Sequence, residues 1–374
     1  MRYLDHNATT PLLEAVIDAM QPYWHLTGNA ASTHQMGRFM RTSIDEARQH
    51  IASLIHAHPN DIIFTSGGTE ANNFALKGWI AVHPTAALYI STTEHDSVFK
   101  TAQQLATQGI PLTWLPVDSN GILCPLPPKT TQPALCSVML ANNESGVIQP
   151  IQQVSIWAHA HNITLHTDAS QAVGKIPVNF KTLGVDMMTL SAHKMGGPLG
   201  IGALVRQSSV PLSPLLMGGG HQQGLRSGTE NVAAIVGFGK AAEIIQATLL
   251  QRMEHYRTLQ QHLETALSTL TGIKILGEHA HRLPNTTLLA VPGMDAEMLV
   301  MYLDKQGCAI SSGSACHGQT ETASQVIEAM QVSPELASGI IRVSLGIQNT
   351  LDDIRHFVQS LRSIMASCQT TLSI

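Results

Sequence analysis

The feature that most constrains this chain is a repeated unit: a short apolar run, one or two polar residues, then a helical stretch. The runs fall at residues 61–65, 87–90, 134–140, 163–167 and 186–190. Runs this short and apolar suit strands buried on both faces. Strands alternating with helices give an α/β fold with a mostly parallel sheet between helical layers. In such sheets ligands bind beyond the carboxyl ends of the strands. The polar residues after the runs, among them Glu94-His95, Asn142-Asn143, Asp168 and Ser191-Ala192-His193-Lys194, fall in those places.

Elsewhere the spacing changes. Ile44, Ala47, Ile51, Leu54 and Ile55 recur at helical spacing within 38–56, and 229–270 contains no proline and reads as one long helix or two joined ones. Beyond Gly272, short strands at 286–291 and 340–345 lie among helices near 295–306, 322–330 and 351–367. A chain of 374 residues exceeds what one core usually organises. The expected division is a large α/β domain over 12–249 and a small α+β domain built from 1–11 and 250–374.

Composition removes several classes. Hydrophobic residues make up 44% and charged residues 13%, with no low-complexity tract, so the chain is not disordered. No uninterrupted apolar run approaches the roughly 18 residues that span a bilayer, and the first residues do not read as a signal peptide. No membrane partner is expected, and a cytoplasmic location is. Net charge is −5 without basic blocks, so nucleic acid is not an expected direct ligand. The five cysteines (Cys124, Cys136, Cys308, Cys316, Cys368) are scattered, with no Cys-x-x-Cys and no zinc-type histidine pair. Neither a disulfide framework nor a metal site is indicated.

The chemistry concentrates at a few positions. Lys194 follows a strand, where desolvation can make its amine nucleophilic and able to form a Schiff base, and Ser191 and His193 offer donors for an anion beside it. Asp168, 26 residues earlier, fits two roles. It can cap a helix, or it can lie against the ring nitrogen of a pyridine cofactor. Gln171 falls on the same helical face and can donate to a phenolic oxygen. His95 can stack on a planar ring and pass protons. Thr65-Ser66-Gly67-Gly68-Thr69-Glu70 suits a phosphate at a helix start, or equally a glycine turn with Thr69 as N-cap. Arg342, inside an expected strand, needs an anionic partner, and a substrate carboxylate suits its fork. Cys136 and Cys308 sit in apolar segments, as structural cysteines do. Cys316 sits in Ser311-Ser-Gly-Ser-Ala-Cys316-His-Gly-Gln319, a small polar stretch that could carry a nucleophilic thiolate to a substrate or hold an incidental cysteine.

In order along the chain these motifs resemble the NifS/IscS-type cysteine desulfurases, class V members of the fold type I pyridoxal phosphate enzymes. The likeness begins at Tyr3-Leu-Asp5-His-Asn7-Ala-Thr-Thr-Pro11 and Gly28-Asn29-Ala-Ala-Ser32-Thr-His34. It continues through Gly68-Thr69-Glu70, Glu94-His95, Asn142-Asn143-Glu144-Ser-Gly146 and His166-Thr-Asp168-Ala-Ser-Gln171. It ends with Ser191-Ala-His193-Lys194, Arg226-Ser-Gly-Thr229, Ser312-Gly-Ser-Ala-Cys316 and Ile341-Arg342-Val-Ser344. The resemblance implies an enzyme that converts L-cysteine to L-alanine and passes the sulfur, as a persulfide, to a protein acceptor such as an iron–sulfur scaffold or sulfur carrier. It implies pyridoxal 5'-phosphate held covalently by Lys194, with Asp168 at the pyridine nitrogen, Gln171 at the phenolic oxygen and His95 on the ring. Gly68, Thr69, Ser191 and His193 would bind the phosphate, and Thr229 would reach it from the other subunit of a homodimer. Arg342, Asn143 and Asn29 would hold the substrate carboxylate, and Cys316 would accept the sulfur. The chain departs from the family in reading Gly28-Asn29-Ala30 for Gly-Asn-Pro, Leu199 for a lysine after Gly197-Pro198, and Glu321-Thr322-Ala323 for Glu-Pro-Ser.

Overall fold

The computed structural model describes residues 1–128, 133–313 and 324–371. Its strands are β1 (Arg2–Tyr3), β2 (Ile62–Thr65), β3 (Ala87–Ser91), β4 (Leu112–Leu115), β5 (Ala134–Ser137), β6 (Ile163–Asp168), β7 (Met187–Ser191), β8 (Gly202–Arg206), β9 (Lys274–Ile275), β10 (Thr286–Ala290), β11 (Cys308–Ala309), β12 (Ser311–Ser312) and β13 (Ile340–Ser344). A seven-stranded sheet runs β2-β8-β7-β6-β5-β3-β4. The pairs from β7 through β4 are parallel, while β8 runs antiparallel to both β7 and β2. Every residue of β2, β3, β5 and β7 is buried, as expected for strands covered on both faces. The mixed edge was not expected. Its cause is β8, whose glycine-led sequence Gly-Ala-Leu-Val-Arg carries little strand signal and doubles back beside β7.

Helix Gln35–Leu54 buries Met40, Ile44, Ala47 and Ile51 against the large sheet and against the 36-residue helix Val232–Leu267. The two helices cross closely at Gly239, where a Cβ would lie 2.5 Å from the Ala47 Cα. The long helix serves two cores. Its first half puts Ala234, Ile235, Phe238, Ala242 and Ile245 into the core of the large sheet. Its second half puts Tyr256, Leu259, Leu263 and Leu267 against Leu289, Val291, Ile341 and Phe357, which belong to a four-stranded sheet of order β12-β13-β10-β9 and its helices. This helix also corrects the reading of apolar length. It holds an 18-residue window of mean hydropathy 1.4, long and apolar enough by length and composition to cross a membrane. Here Ala234, Ile235, Gly237, Gly239, Ala241, Ala242 and Ile245 of that helix are buried in helix and sheet packing.

The N-terminal segment ties the two sheets together. β1 pairs with β11, Asp5 bridges to Ser344 of β13, and the Thr10 N–H then donates to the His193 carbonyl at the end of β7. Asn7 therefore lies between the two sheets, over the strand ends.

Candidate active site

The ends of β3, β5, β6 and β7 open onto a cavity of about 300 Å³. Its lining includes Asn7, Gly68, Thr69, Asn72, His95, Asn143, Asp168, Ser170, Gln171, Ser191, His193, Lys194 and Arg342. The sheet order explains this. Asp168 is the last residue of β6 and Ser191 of β7, and these neighbours are parallel and in register (Asp168 opposite Thr189).

Asp168 is buried, and its two oxygens are held separately. Asn72 Nδ2 donates to Oδ2 (2.7 Å) and the Ser170 N–H to Oδ1 (2.9 Å). Asn72 also donates to Ser97 Oγ (2.8 Å). The Ser97 N–H donates to His95 Nδ1 (3.1 Å) and its hydroxyl lies 2.8 Å from the same nitrogen. His95 is thus the N-cap of helix Asp96–Thr107, and the ring proton is assigned to Nε2. Burial is the main cause of its lowered pKa, followed by opposing contributions from Asp168, which raises it, and Lys194, which lowers it. Glu94, next to it, is buried. Its Oε1 accepts from the Met139 N–H (2.6 Å), and desolvation, with Asp168 nearby, lifts its pKa to about 8.

Lys194 ends a short helical turn after β7, half-buried, and its Nζ donates to the carbonyls of Asn7 (2.5 Å) and Ala8 (2.8 Å). His193 Nδ1 lies 3.1 Å from Thr9 Oγ1, and burial, then Lys194, push its pKa down to about 4. Gln171 Nε2 donates to the Asn7 carbonyl (2.9 Å) and its Oε1 accepts from Lys175 (2.6 Å). Arg342, in β13, reaches across from the small sheet. Its Nη2 pairs with Asp5 (2.6 Å), its Nη1 donates to the Asn143 carbonyl (2.9 Å), and its buried Nε has no partner among the described residues.

Most sequence-selected residues therefore meet, with exceptions. Asn29 is exposed, its Oδ1 accepting from the Ala31 N–H (2.9 Å) in a local turn, and does not line the cavity. Thr229 is exposed and borders a different cavity of about 190 Å³ with Thr65, Ser66, Gly200 and Arg226. Thr69 is not an N-cap. The helix Gly68–Asn73 begins two residues before the start that a Thr69 cap implies, with Gly67 as cap. Arg342 already has an anionic partner in Asp5. Cys316 and the departure at 321–323 lie outside the described residues. Asn72, Ser97, Ser170, Lys175 and the hub position of Asn7 were not anticipated. Asn72 meets Asp168 across 96 residues and Asn7 meets Lys175 across 168, contacts that only the fold creates, while Ser97, Ser170 and Lys175 also bond near neighbours but are ordinary polar residues by pattern.

The family described as Aminotransferase class-V matches residues 2–357. The chain belongs to the class V aminotransferase family. It is 40% identical over 375 residues to the cysteine desulfurase IscS of Dictyoglomus turgidum, covering 98% of this chain and 95% of that protein. Among solved structures it is similar to a NifS-like protein (TM-score 0.91, 33% identity, 98% of this chain and 100% of that one). It is also similar to SspA in complex with cysteine (TM-score 0.80, 29% identity, 92% and 99%). Class V enzymes are pyridoxal phosphate-dependent, and the fold is that of the fold type I enzymes.

The residues present fit that cofactor. Ser170 Oγ is buried and has no hydrogen-bond partner among the described residues. A Cβ on Gly68 would stand 3.2 Å from this oxygen and 3.5 Å from the Ser191 Cβ, so glycine keeps that cradle open at the helix start. An amine, a carboxylate and a neutral imidazole from Lys194, Asp168 and His95 line the remainder.

Proposed function

We propose that the protein is a cysteine desulfurase that takes L-cysteine, releases L-alanine and transfers the sulfur as an enzyme persulfide to a protein acceptor. The product would feed iron–sulfur cluster, thio-cofactor or tRNA biosynthesis. The single observation that carries this reading is the convergence of Lys194, Asp168, His95 and Arg342 on one cavity at the strand ends. Lys194 would hold the cofactor, Asp168 its ring nitrogen, Gln171 its phenolic oxygen and His95 its face. Gly68, Thr69, Ser170, Ser191 and His193 would hold the phosphate. When bound, pyridoxal phosphate supplies a sink for the electron pair left on the substrate Cα.

The chain's own groups do the rest. Arg342, with Asn143, would bind the substrate carboxylate in exchange for its present partner Asp5 and so set its orientation. The Lys194 amine takes the Cα proton, and His95, with its proton on Nε2, stays neutral at the ring. Cys316 thiolate attacks the substrate Sγ. An S–S bond forms, the Cβ–Sγ bond breaks with its pair going to carbon, one proton is delivered to Cβ, and return of the proton held by Lys194 to Cα completes alanine. The buried thiols of Cys136 and Cys308, pushed up in pKa by desolvation, are poor candidates for this step.

Two further readings accompany the activity. The enzyme works as a homodimer, a reading supported by Leu199 (71% exposed), Met217 (84%) and Trp24 (57%) on the surface of the single chain and by Thr229 lying beside a second cavity. It resides in the cytoplasm, as the free thiols of Cys124, Cys136 and Cys308 support. The test of the activity is conversion of L-cysteine to L-alanine by the cofactor-loaded protein, followed by borohydride reduction and peptide mapping. Pyridoxyl on Lys194 and stoichiometric alanine are expected. Label on another lysine, or no alanine, overturns the reading.

A further inference from the structure

Lys175 is a buried lysine that the reaction above does not use. It is 3% exposed, and its Nζ donates to Gln171 Oε1 (2.6 Å) and to Asn7 Oδ1 (2.7 Å). Those two acceptors are themselves fixed at the site. Gln171 Nε2 donates to the Asn7 carbonyl, which also accepts from Lys194 Nζ. The Asn7 carboxamide is fully used. Its Oδ1 accepts additionally from Asn285 Nδ2 (3.2 Å), and its Nδ2 donates to the Asn143 carbonyl (3.1 Å) and Thr286 Oγ1 (2.9 Å). Lys175 and Lys194 border one small void of about 30 Å³ together with His6, Arg252 and Tyr256.

A carboxamide can sit in a pocket with either end forward, and only its partners decide which. A lysine nitrogen donates and has no acceptor role when protonated, so it selects the oxygen of whatever carboxamide it touches. We propose that Lys175 is a positioning residue: by donating to both Gln171 Oε1 and Asn7 Oδ1, it fixes the Gln171 carboxamide with its N–H groups toward the Asn7 carbonyl and the cavity, and so sets the surroundings of Lys194. The inference rests on the reading of Lys194 as the cofactor lysine. The second N–H of Gln171 is then presented to the phenolic oxygen. The charged groups facing Lys175 among the described residues are Lys194 and Arg342, with Arg252 across the void beside His6, whose pKa burial and then Lys175 push down to about 4. Burial is the largest cause of the lowering of the Lys175 pKa, and Lys194 and Arg342 add to it.

The test reads the bound cofactor rather than turnover. The visible band of the cofactor-loaded protein is titrated with pH in wild type, Lys175→Met, Gln171→Met and the double variant. Lys175→Met removes the donor that orders Gln171 and a basic group facing Lys194. Both losses favour the protonated linkage at Lys194, so the midpoint should rise by about one pH unit, a tenfold change in proton affinity. Gln171→Met should shift it the same way, and the double variant should shift less than the sum, since one device is removed twice. If Lys175→Met fails to fold or load, Lys175→Gln takes its place. Its side chain is one atom shorter and cannot reach both acceptors, so a smaller upward shift is expected. An unchanged midpoint in either folded Lys175 variant, or full additivity with Gln171→Met, overturns the inference. Absence of the band in wild type overturns instead the reading on which it rests.

Discussion

Glu94 and His95 follow the same strand, and burial keeps both of them neutral. Desolvation is the first cause of each shift, raising the carboxyl to about 8 and lowering the imidazole. The sign for stability follows. A glutamate whose folded pKa is above its unfolded value of about 4.3 contributes stability that is fully present below that value and lost as pH rises through about 8. His166 and His193, held at about 4, do the reverse: their contribution is present above about 6.5 and lost as pH falls through 4. Glu94→Gln should therefore gain melting temperature relative to wild type as pH rises from 6 to 9, by at most about 1.4 kcal/mol per pH unit. Parallel melting curves for the two proteins across that range would contradict a protonated Glu94. At this scale the sequence was readable where chemistry sits at a strand end. Lys194, Asp168 and His95 stood out for that reason. Asn72, which holds Asp168 from 96 residues away, stood in no local pattern, and Asn7 stood in the motif Tyr3–Pro11 without any sign of its contact with Lys175, 168 residues away. Arg342 was readable as a buried arginine, but its Asp5 partner was not, since that contact is made only when the N-terminal segment crosses to β13.

At the scale of elements, apolar runs were enough to find the buried strands β2, β3, β5, β6 and β7, helical spacing found the helix Gln35–Leu54, and the proline-free stretch 229–270, read as one long helix or two joined ones, is the single helix Val232–Leu267. The short strands β1, β9, β11 and β12 have two residues each, and nothing in so few residues distinguishes a strand from a loop. β4 was missed because Leu-Thr-Trp-Leu is only partly buried at the sheet edge. The start of helix Gly68–Asn73 carries a prediction of its own. A branched side chain at Gly68 would fill the space in front of Ser170 Oγ and Ser191. Gly68→Val should weaken pyridoxal phosphate binding by at least about tenfold, equivalent to about 1.4 kcal/mol, while the melting temperature of the cofactor-free protein stays close to wild type. Equal affinity for the cofactor in the two proteins, measured by fluorescence titration, would remove Gly68 from the phosphate site.

For the whole molecule, the site is assembled by crossing. Lys194, Asp168 and His95 come from the large sheet, Arg342 comes from the small one, and the segment through Asn7 links them. A site built from two sheets and one strap is expected to respond to assembly as well. In sedimentation the loaded protein should run as a dimer, and Thr229→Ala should weaken cofactor binding without dissociating it. A monomer that binds cofactor tightly and turns over would contradict the dimer. The most direct test of the central claim is a single turnover with L-cysteine followed by mass spectrometry of the intact protein and its peptides. The account predicts one equivalent of alanine and one added sulfur on the peptide containing Cys316, with neither persulfide nor sulfide from Cys316→Ser. Sulfur on Cys308 or Cys136 instead, or full activity in Cys316→Ser, would contradict it.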